Sequence, residues 1–487
     1  MNRHFSSTFR TAVLLSLGGL TGWGHAPLNW WWIPFLSFPA LLHMLKPLSG
    51  WAAFRTTWMF CFGYFLFGLY WIAHALFVDI GQFWWALPLA AAGLPMVLAS
   101  FQAVAGVVAQ RHDGLPRLLV FAAVWGAMEW VRGHIFTGFP WLLLGQLWVD
   151  VAPARQLAAL GGAYFLSLWA VVLAVLPAAE KGQRLNAALA GSLLFLLAGG
   201  FAHMPLARSS GEALTLRLVQ PNIPQTLKID PESRAASLAQ LIELTKYPDQ
   251  PTVTIWPETA VLYRIAERDD VRALVSSGLG PGHILLTGAP RQEGGEYFNS
   301  LLAVNDGAEI LGHYDKAHLV PFGEYIPFRS ILPFDPVAGG TDFSAGSGSR
   351  TLDIAGVPGF SPLICYEVIF PGAVAEDNNP PRWLLNITND GWYGLTHGPY
   401  QHFEIARLRA MEEGVPLVRV ANTGISGVVD AQGNVVASLP LGTQGVLDVT
   451  VRLDSVQTIY RMAGDWLFWG SVAILLLTER RKKLLVV

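Results

Sequence analysis

The sequence predicts two structural regimes in one chain: a polytopic α-helical membrane domain with eight spans, and an extracytoplasmic α/β domain. Three observations predict it. Hydrophobic residues make up 52% of the 487 residues and charged residues only 14%, with 19 Trp, which is too apolar and charge-poor for an ordinary soluble globule. The apolar residues are concentrated: long apolar stretches run from Thr11 to His203, ordinary charge density with turns and strand patterns runs from Gly211 to Arg461, and a last apolar stretch covers 466–478. Finally, basic residues recur in every second loop of the apolar region.

A membrane span needs roughly 20 apolar residues. Splitting the first 205 residues at turn signals and basic loops gives seven candidates, at 11–24, 29–45, 57–76, 83–110, 118–131, 164–178 and 187–201. The first is short and follows a basic N-terminus, as a cleaved signal peptide would. An uncleaved span is expected instead, because the chain is apolar again directly from Asn29. Arg3 and Arg10 precede the first candidate, Lys46 and Arg55 follow the second, Arg111 and Arg117 the fourth, and Lys181 and Arg184 the sixth. The intervening loops 24–28, 77–82 and 132–156 carry only Arg132 and Arg155. This alternation puts the N-terminus in the cytoplasm and the polar region outside. An eighth span at 463–480 then returns the chain to a cytoplasmic tail, 481–487, within the basic run Glu479-Arg480-Arg481-Lys482-Lys483. The expected domains are therefore 1–205 (seven helices), 211–461 (soluble), the last span and the tail. Trp30, Trp31 and Trp32 suit an interfacial aromatic belt.

Net charge is −3, and no basic run lies away from the termini, so nucleic-acid binding has no electrostatic support. Only two cysteines occur. Cys61 lies in a candidate span and Cys365 in the polar region, so no bridge between them is expected. No Cys/His spacing suggests a metal site, and no cofactor is called for.

The polar region, at about 250 residues, is large enough for one well-buried core. Strands are predicted at 214–219, 252–256, 283–287, 300–305, 362–366, 383–389, 416–421 and 427–430, and helices at 231–245, 270–277 and 401–414. Asp230 serves as N-cap of the first helix, with Pro231 at its first position. Near-continuously apolar strands alternating with helices indicate an α/β sandwich whose sheets are covered on an outer face, with reactive residues at strand ends.

Three such residues have complementary chemistry. Cys365 closes the strand in Pro-Leu-Ile-Cys-Tyr-Glu, Glu258 follows a strand in Trp-Pro-Glu-Thr, and Lys316 lies in Tyr-Asp-Lys-Ala-His. A thiol near its free pKa of about 8.5 benefits from a base, which Glu258 supplies, and from a cation that stabilises both thiolate and oxyanion, which Lys316 supplies. Each residue alone has an ordinary alternative: a helix N-terminal Glu, a solvated Lys, a buried small hydrophobe.

Together, Trp-Pro-Glu-Thr at 256–259, Asp-Lys-Ala-His-Leu-Val-Pro-Phe-Gly-Glu-Tyr-Ile-Pro at 315–327 and Ile-Cys-Tyr-Glu at 364–367 resemble the Glu-Lys-Cys triad of the nitrilase superfamily. With Val-Gln-Pro-Asn-Ile-Pro-Gln at 219–225, Asn-Asp-Gly-Trp-Tyr at 389–393 and the eight-span frame, the chain resembles the membrane-embedded apolipoprotein N-acyltransferase family along nearly its whole length. The resemblance implies an αββα sandwich, with Glu258 as general base, Lys316 as oxyanion stabiliser and Cys365 as nucleophile. It adds supporting roles for Glu324 and Glu367, which would orient the lysine or the base, for Tyr366, which would line the site, and for Asn299. It implies a phospholipid acyl donor, a thioester intermediate and a diacylglyceryl-apolipoprotein acceptor, in the bacterial inner membrane with the catalytic domain periplasmic. A monomer is expected. One position departs from the pattern: Ile229 stands after Gln-x-x-Lys where relatives often carry an aromatic.

Gly- and Pro-rich segments at 321–323 and 338–346 are candidate lids, with Phe322, Phe328, Phe334 and Phe343 placed to dip into lipid. Two rival functions stay open. A membrane-anchored amidase would use the same triad with water as acceptor, although so many spans exceed what an anchor needs. A transporter or lipid-binding receptor would need ionisable residues in its spans, and these are few: His43, His74 and a Glu129–Arg132 pair better explained as structural.

Overall fold

The computed structural model describes residues 7–180, 191, 212–246, 251–332, 335–337 and 342–477. The seventh span candidate falls outside these apart from Gly191, as do the C-terminal tail, Phe334 and the 338–341 part of the second candidate lid. The described residues form two compact units. One draws on Met1–Ala73, Gly81–Leu206 and Thr458–Val487, the other on His74–Ile80 and Ala207–Gln457.

The first unit is helical. Leu89–Ala109, Gly114–His134 and Leu157–Ala178 are each long and apolar enough to cross a membrane. Gly50–Gly68 and Tyr70–Ala86 form a fourth span if their 46° bend is counted within one span. Pro34–Leu45 and Trp466–Leu477 are apolar but only 12 residues each. The expected 57–76 span is thus longer at its start and broken at Leu69, which has a non-helical backbone; the Trp71 indole donates to the Gly68 carbonyl at the break. The sixth candidate begins earlier than expected, at Leu157, and is kinked at Gly161 and Gly162.

Small residues let these helices approach closely. A Cβ on Gly18 would lie 1.8 Å from the Phe60 carbonyl oxygen, and one on Gly22 would lie 2.0 Å from that of Tyr64. The backbones of Ser7–Trp23 and Gly50–Gly68 are therefore in direct contact, a small-xxx-small packing suited to helices in an apolar solvent. Glu129 and Arg132 are both buried. Glu129 accepts from Trp125, Ser167 and the Leu144 N–H, while Arg132 donates to the carbonyls of Phe139 and Trp141. Their role as a structural brace on the loop after Gly114–His134 follows from these partners.

The second unit is a two-sheet sandwich. One sheet has the order β12-β1-β2-β3-β4-β5, where β1 is Ala213–Gln220, β2 Val253–Ile255, β3 Ile284–Glu293, β4 Glu296–Asn305, β5 Ile310–Asp315 and β12 Gly445–Arg452. The other has the order β11-β10-β9-β8-β7-β6, where β6 is Leu352–Ile354, β7 Val357–Ile364, β8 Trp383–Thr388, β9 Leu417–Ala421, β10 Ser426–Val429 and β11 Val435–Leu439. Alternation along each strand builds the layers. Leu216, Leu218, Ile255, Leu286, Leu301 and Ala303 meet Phe360, Ile364, Trp383, Leu385, Ile387 and Val418 between the sheets. The opposite face of the first sheet, with Val219, Leu285 and Leu302, packs under Leu238, Leu241 and Val275 of the helices Arg234–Thr245 and Asp269–Ser276. Gly398–Glu413 packs on the second sheet. Asp230 caps as expected, its carboxylate accepting from the Glu232 N–H.

The sequence reading missed β5, β6, β11 and β12, and it ended β3 too early. The β3–β4 hairpin turns through Gly294 and Gly295, both with positive φ, the two-residue turn that a Gly-Gly pair favours.

Strands β1, β2 and β3 are mutually parallel, as are β7, β8 and β9, so several carboxyl ends gather at one end of the sandwich. There the backbone is tight. A Cβ on Gly288 would lie 2.4 Å from the Thr259 nitrogen and 2.7 Å from the Glu258 Cα. Gly288→Ala should therefore lower the unfolding free energy by about 1–3 kcal/mol by overpacking a rigid turn. Thermal unfolding in detergent checks this, and an unchanged midpoint would mean that the 257–259 turn yields.

Candidate active site

Glu258 follows β2, Asn299 lies on β4, Lys316 follows β5 and Cys365 follows β7. All four are buried, and the structure brings the predicted residues into one cluster. The Lys316 ammonium lies 3.4 Å from Glu258 Oε1 and 2.9 Å from Glu324 Oε2. Asn299 Nδ2 donates to both acids, at 2.8 Å to Glu258 Oε1 and 2.9 Å to Glu324 Oε1, and the Asn299 carbonyl accepts from the Lys316 N–H. Glu258 Oε2 accepts from the Asn389 N–H at 2.9 Å, and Glu324 Oε2 from the Val320 N–H at 2.8 Å. Each carboxylate is thus fixed by backbone as well as by charge.

Cys365 has φ +52°, the left-handed region that a residue with a Cβ seldom adopts. Strain of this kind persists only where surrounding contacts over-determine it. Glu367 supplies one such contact set. Its Oε2 accepts from the Ile364 N–H, while Oε1 accepts from the Tyr314 hydroxyl and the N–H groups of Ala317 and His318. One carboxylate therefore ties the Cys365 turn to the segment after Lys316. Glu367 makes no hydrogen bond or ion pair with Lys316 or Glu258, so its contacts bear on the Cys365 turn and not directly on the lysine or the base. The Tyr366 ring packs with His318 and Phe370.

The electrostatics follow from burial. Burial pushes the Cys365 thiol up, Glu258 and Asp390 add to this, Lys316 and a Thr388 hydrogen bond oppose it, and the result is about 12. Burial acts against the Lys316 charge, but Glu324 and Glu258 outweigh it and raise its pKa. The resting state is thus a neutral thiol beside an ammonium held by two acids.

Lys228, which the sequence reading met only as the end of Gln-x-x-Lys, is a second buried lysine here. Its Nζ donates to the Glu258 carbonyl at 3.0 Å, and burial lowers its pKa to about 8 against the pull of Glu258 and Cys365. Its only sequence signal was its place in that short run. The backbone of Ile229 ends the same helix, Gln225–Ile229; its side chain lies outside the described residues. Among the candidate lid residues, Phe322 and Phe328 are exposed with positive φ, while the Phe343 N–H pairs with the Glu324 carbonyl and Gly346 with the Lys316 carbonyl. Among the described residues no group of three or more His, Cys, Asp or Glu side chains is arranged to hold a metal ion.

This arrangement can take a proton from a thiol, host a thiolate and stabilise an oxyanion. Residues 215–461 match the family described as carbon-nitrogen hydrolase, and residues 17–176 match the apolipoprotein N-acyltransferase N-terminal domain. The apolipoprotein N-acyltransferase of Allorhizobium ampelinum is 37% identical over 96% of this chain and 94% of its own, and that of Agrobacterium fabrum 38% over the same shares. The chain belongs to the apolipoprotein N-acyltransferase family. The Brucella melitensis member is 40% identical over 85% of this chain and 84% of its own. A solved CN-hydrolase superfamily protein from Xanthomonas campestris aligns at 19% identity and TM-score 0.37 over 54% of this chain and 97% of that one, a likeness too low to bear on function. Family membership makes the chain an acyltransferase with a membrane-embedded helical unit.

The signs of the charge effects can be tested on the thiol itself. In a Cys61→Ala background, the pH midpoint for iodoacetamide alkylation of Cys365 should fall in Glu258→Gln, which removes an anion, and rise in Lys316→Met, which removes the cation. Shifts in the same direction would contradict this electrostatic arrangement.

Proposed function

We propose that the chain transfers an acyl chain from a phospholipid, through a Cys365 thioester, to the α-amino group of a diacylglyceryl-cysteine at the N-terminus of an apolipoprotein. The observation that carries this reading is the buried Glu258–Lys316–Glu324 cluster beside the strained Cys365, in a member of this family. Glu258 takes the thiol proton, and the thiolate attacks the ester carbonyl. The oxyanion forms against the Lys316 ammonium, with no reorganisation needed because Lys316 is already fixed. Collapse breaks the acyl C–O bond, and Glu258 returns the proton to the departing lysophospholipid alkoxide. In the second half, the lipoprotein amine attacks the thioester and gives its proton to Glu258, which passes it to the leaving thiolate. Asn299, Glu324, Glu367 and Tyr366 position and line this site. The enzyme works as a monomer without a cofactor.

The same proposal includes the topology. The basic loops support eight spans, seven within 1–205 and one at 463–480, with both termini cytoplasmic and residues 211–461 periplasmic at the bacterial inner membrane. In spheroplasts of a Gram-negative host, a membrane-impermeant maleimide should label Gly307→Cys on the exposed β4–β5 turn but not Arg111→Cys. The reverse pattern would invert the orientation.

Intact-protein mass spectrometry tests the chemistry. After incubation with phospholipid vesicles alone, wild type should carry a long-chain acyl adduct that Cys365→Ala lacks, and a diacylglyceryl-cysteine peptide should discharge it. Loss of the adduct to water at the same rate without peptide would make the chain a hydrolase, and the lack of any adduct would sink the proposal.

A further inference from the structure

Outer faces of buried strands are normally apolar where a helix covers them. On β8 and β9 the residues facing away from the inter-sheet core include Asn386, Thr388 and Arg419, all fully buried, with Asp390 just beyond β8. Asp390 and Arg419 meet at one residue of the helix Gly398–Glu413: His402, which is 0% exposed. Its Nδ1 lies 2.9 Å from Asp390 Oδ1 and 3.0 Å from Arg419 Nη2. Asp390 is held in turn by Arg419 at 2.8 Å and by the Thr388 hydroxyl at 3.1 Å. The other ring nitrogen, Nε2, lies 3.2 Å from the carbonyl oxygen of Cys365. A carbonyl only accepts, so Nε2 carries a proton and donates it, whatever the state of Nδ1. Asn386 Nδ2 reaches the same carbonyl at 3.4 Å and that of Leu363 at 3.0 Å.

The Cys365 carbonyl belongs to the peptide that leaves the left-handed residue, so a donor fixed against it restrains the conformation that aims the thiol. We propose that His402, oriented by Asp390, is a positioning residue for acyl transfer: it holds the Cys365 carbonyl so that the strained turn keeps the thiol directed at the Glu258–Lys316 cluster. This goes beyond the Cys365 chemistry proposed above and rests on it. A separate tie comes from Glu367, which grips the preceding N–H of Ile364. Two buried side chains thus hold the 363–364 and 365–366 peptides, one on each side of the peptide that enters the reactive residue.

The test compares His402→Gln with His402→Asn, both polar and close in size. The longer glutamine keeps an N–H within reach of the carbonyl, whereas asparagine is one carbon shorter and falls out of reach. Thermal midpoints establish folding, and the rate of acyl transfer from vesicle phospholipid to a diacylglyceryl-cysteine peptide gives kcat and KM. For asparagine, kcat should fall about 10- to 100-fold, the scale of loss from small misplacement of a reacting group, with KM unchanged; glutamine should recover to within a few-fold of wild type. Equal rates for the two variants at equal midpoints, or a loss expressed in KM alone, would overturn the proposal. Wild type that forms no adduct would instead refute the function on which it rests.

Discussion

The buried ammonium of Lys316 is the constraint on which the rest of the second unit depends. At 1% exposure it cannot be hydrated, so it must be paired and hydrogen-bonded within the protein, and breaking such a pair is far more costly than never forming it. Glu258 and Glu324 supply the pairing, and Asn299 bridges them so that neither acid can turn away. Those residues come from the turn after β2, from β4 and from the segment after β5, so the cluster exists only when the first sheet is correctly registered. Charge balance at the site is thereby coupled to folding of the sheet.

Backbone strain is the second device. Cys365 at φ +52° and Thr259 at φ +43° flank the two ends of the proposed proton transfer, and both are residues for which that conformation is unfavourable. Around each, a buried basic side chain donates to a neighbouring carbonyl: Lys228 to that of Glu258, and His402 to that of Cys365. Loose turns would let thiol and carboxylate wander by an ångström, which is enough to lose much of the advantage of proximity. Burial disfavours the Lys228 charge and lowers its pKa to about 8, so the tie to the Glu258 carbonyl is made at a cost in stability.

How much of this could be read from the sequence depended on whether a feature is local. Glu258 and Cys365 stand out because each ends an apolar strand in a turn-rich run, where such folds expose side chains, whereas Lys316 stands out by its place in the Tyr-Asp-Lys-Ala-His run, its strand β5 being half-exposed. The helix 231–245 was legible from its own Asp-Pro start. In contrast, β12 pairs with β1 across more than 230 residues of chain, as in Ala213 with Arg452, and its half-exposed pattern carries no strong period of its own. The break at Leu69 was hidden because hydropathy is the same on both sides of it, and only the loss of the backbone ladder marks it. Lys228 and His402 were illegible for the same reason: each acts on a carbonyl, and carbonyls leave no trace in side-chain identity.

The triad by itself does not separate acyl transfer to an amine from acyl transfer to water, because both reactions need the same base, nucleophile and oxyanion cation. What differs is the substrate that must be brought to the thiol. On the second unit, Leu227 beside Lys228, Phe322 beside Glu324, and Phe328, Ile331 and Leu395 are large apolar side chains left exposed, Phe328 and Leu395 each at 76%. Four of them cluster in sequence around the segments that carry Lys228 and Glu324, and two, Phe322 and Phe328, lie in positive-φ backbone. Chemistry on a small polar amide gives no reason for these exposed apolar side chains, and apolar side chains grouped in water are otherwise a liability. On the function proposed above, the acyl chains of a phospholipid and of a diacylglyceryl-cysteine would cover such side chains, which would tie the choice of acceptor to residues outside the triad.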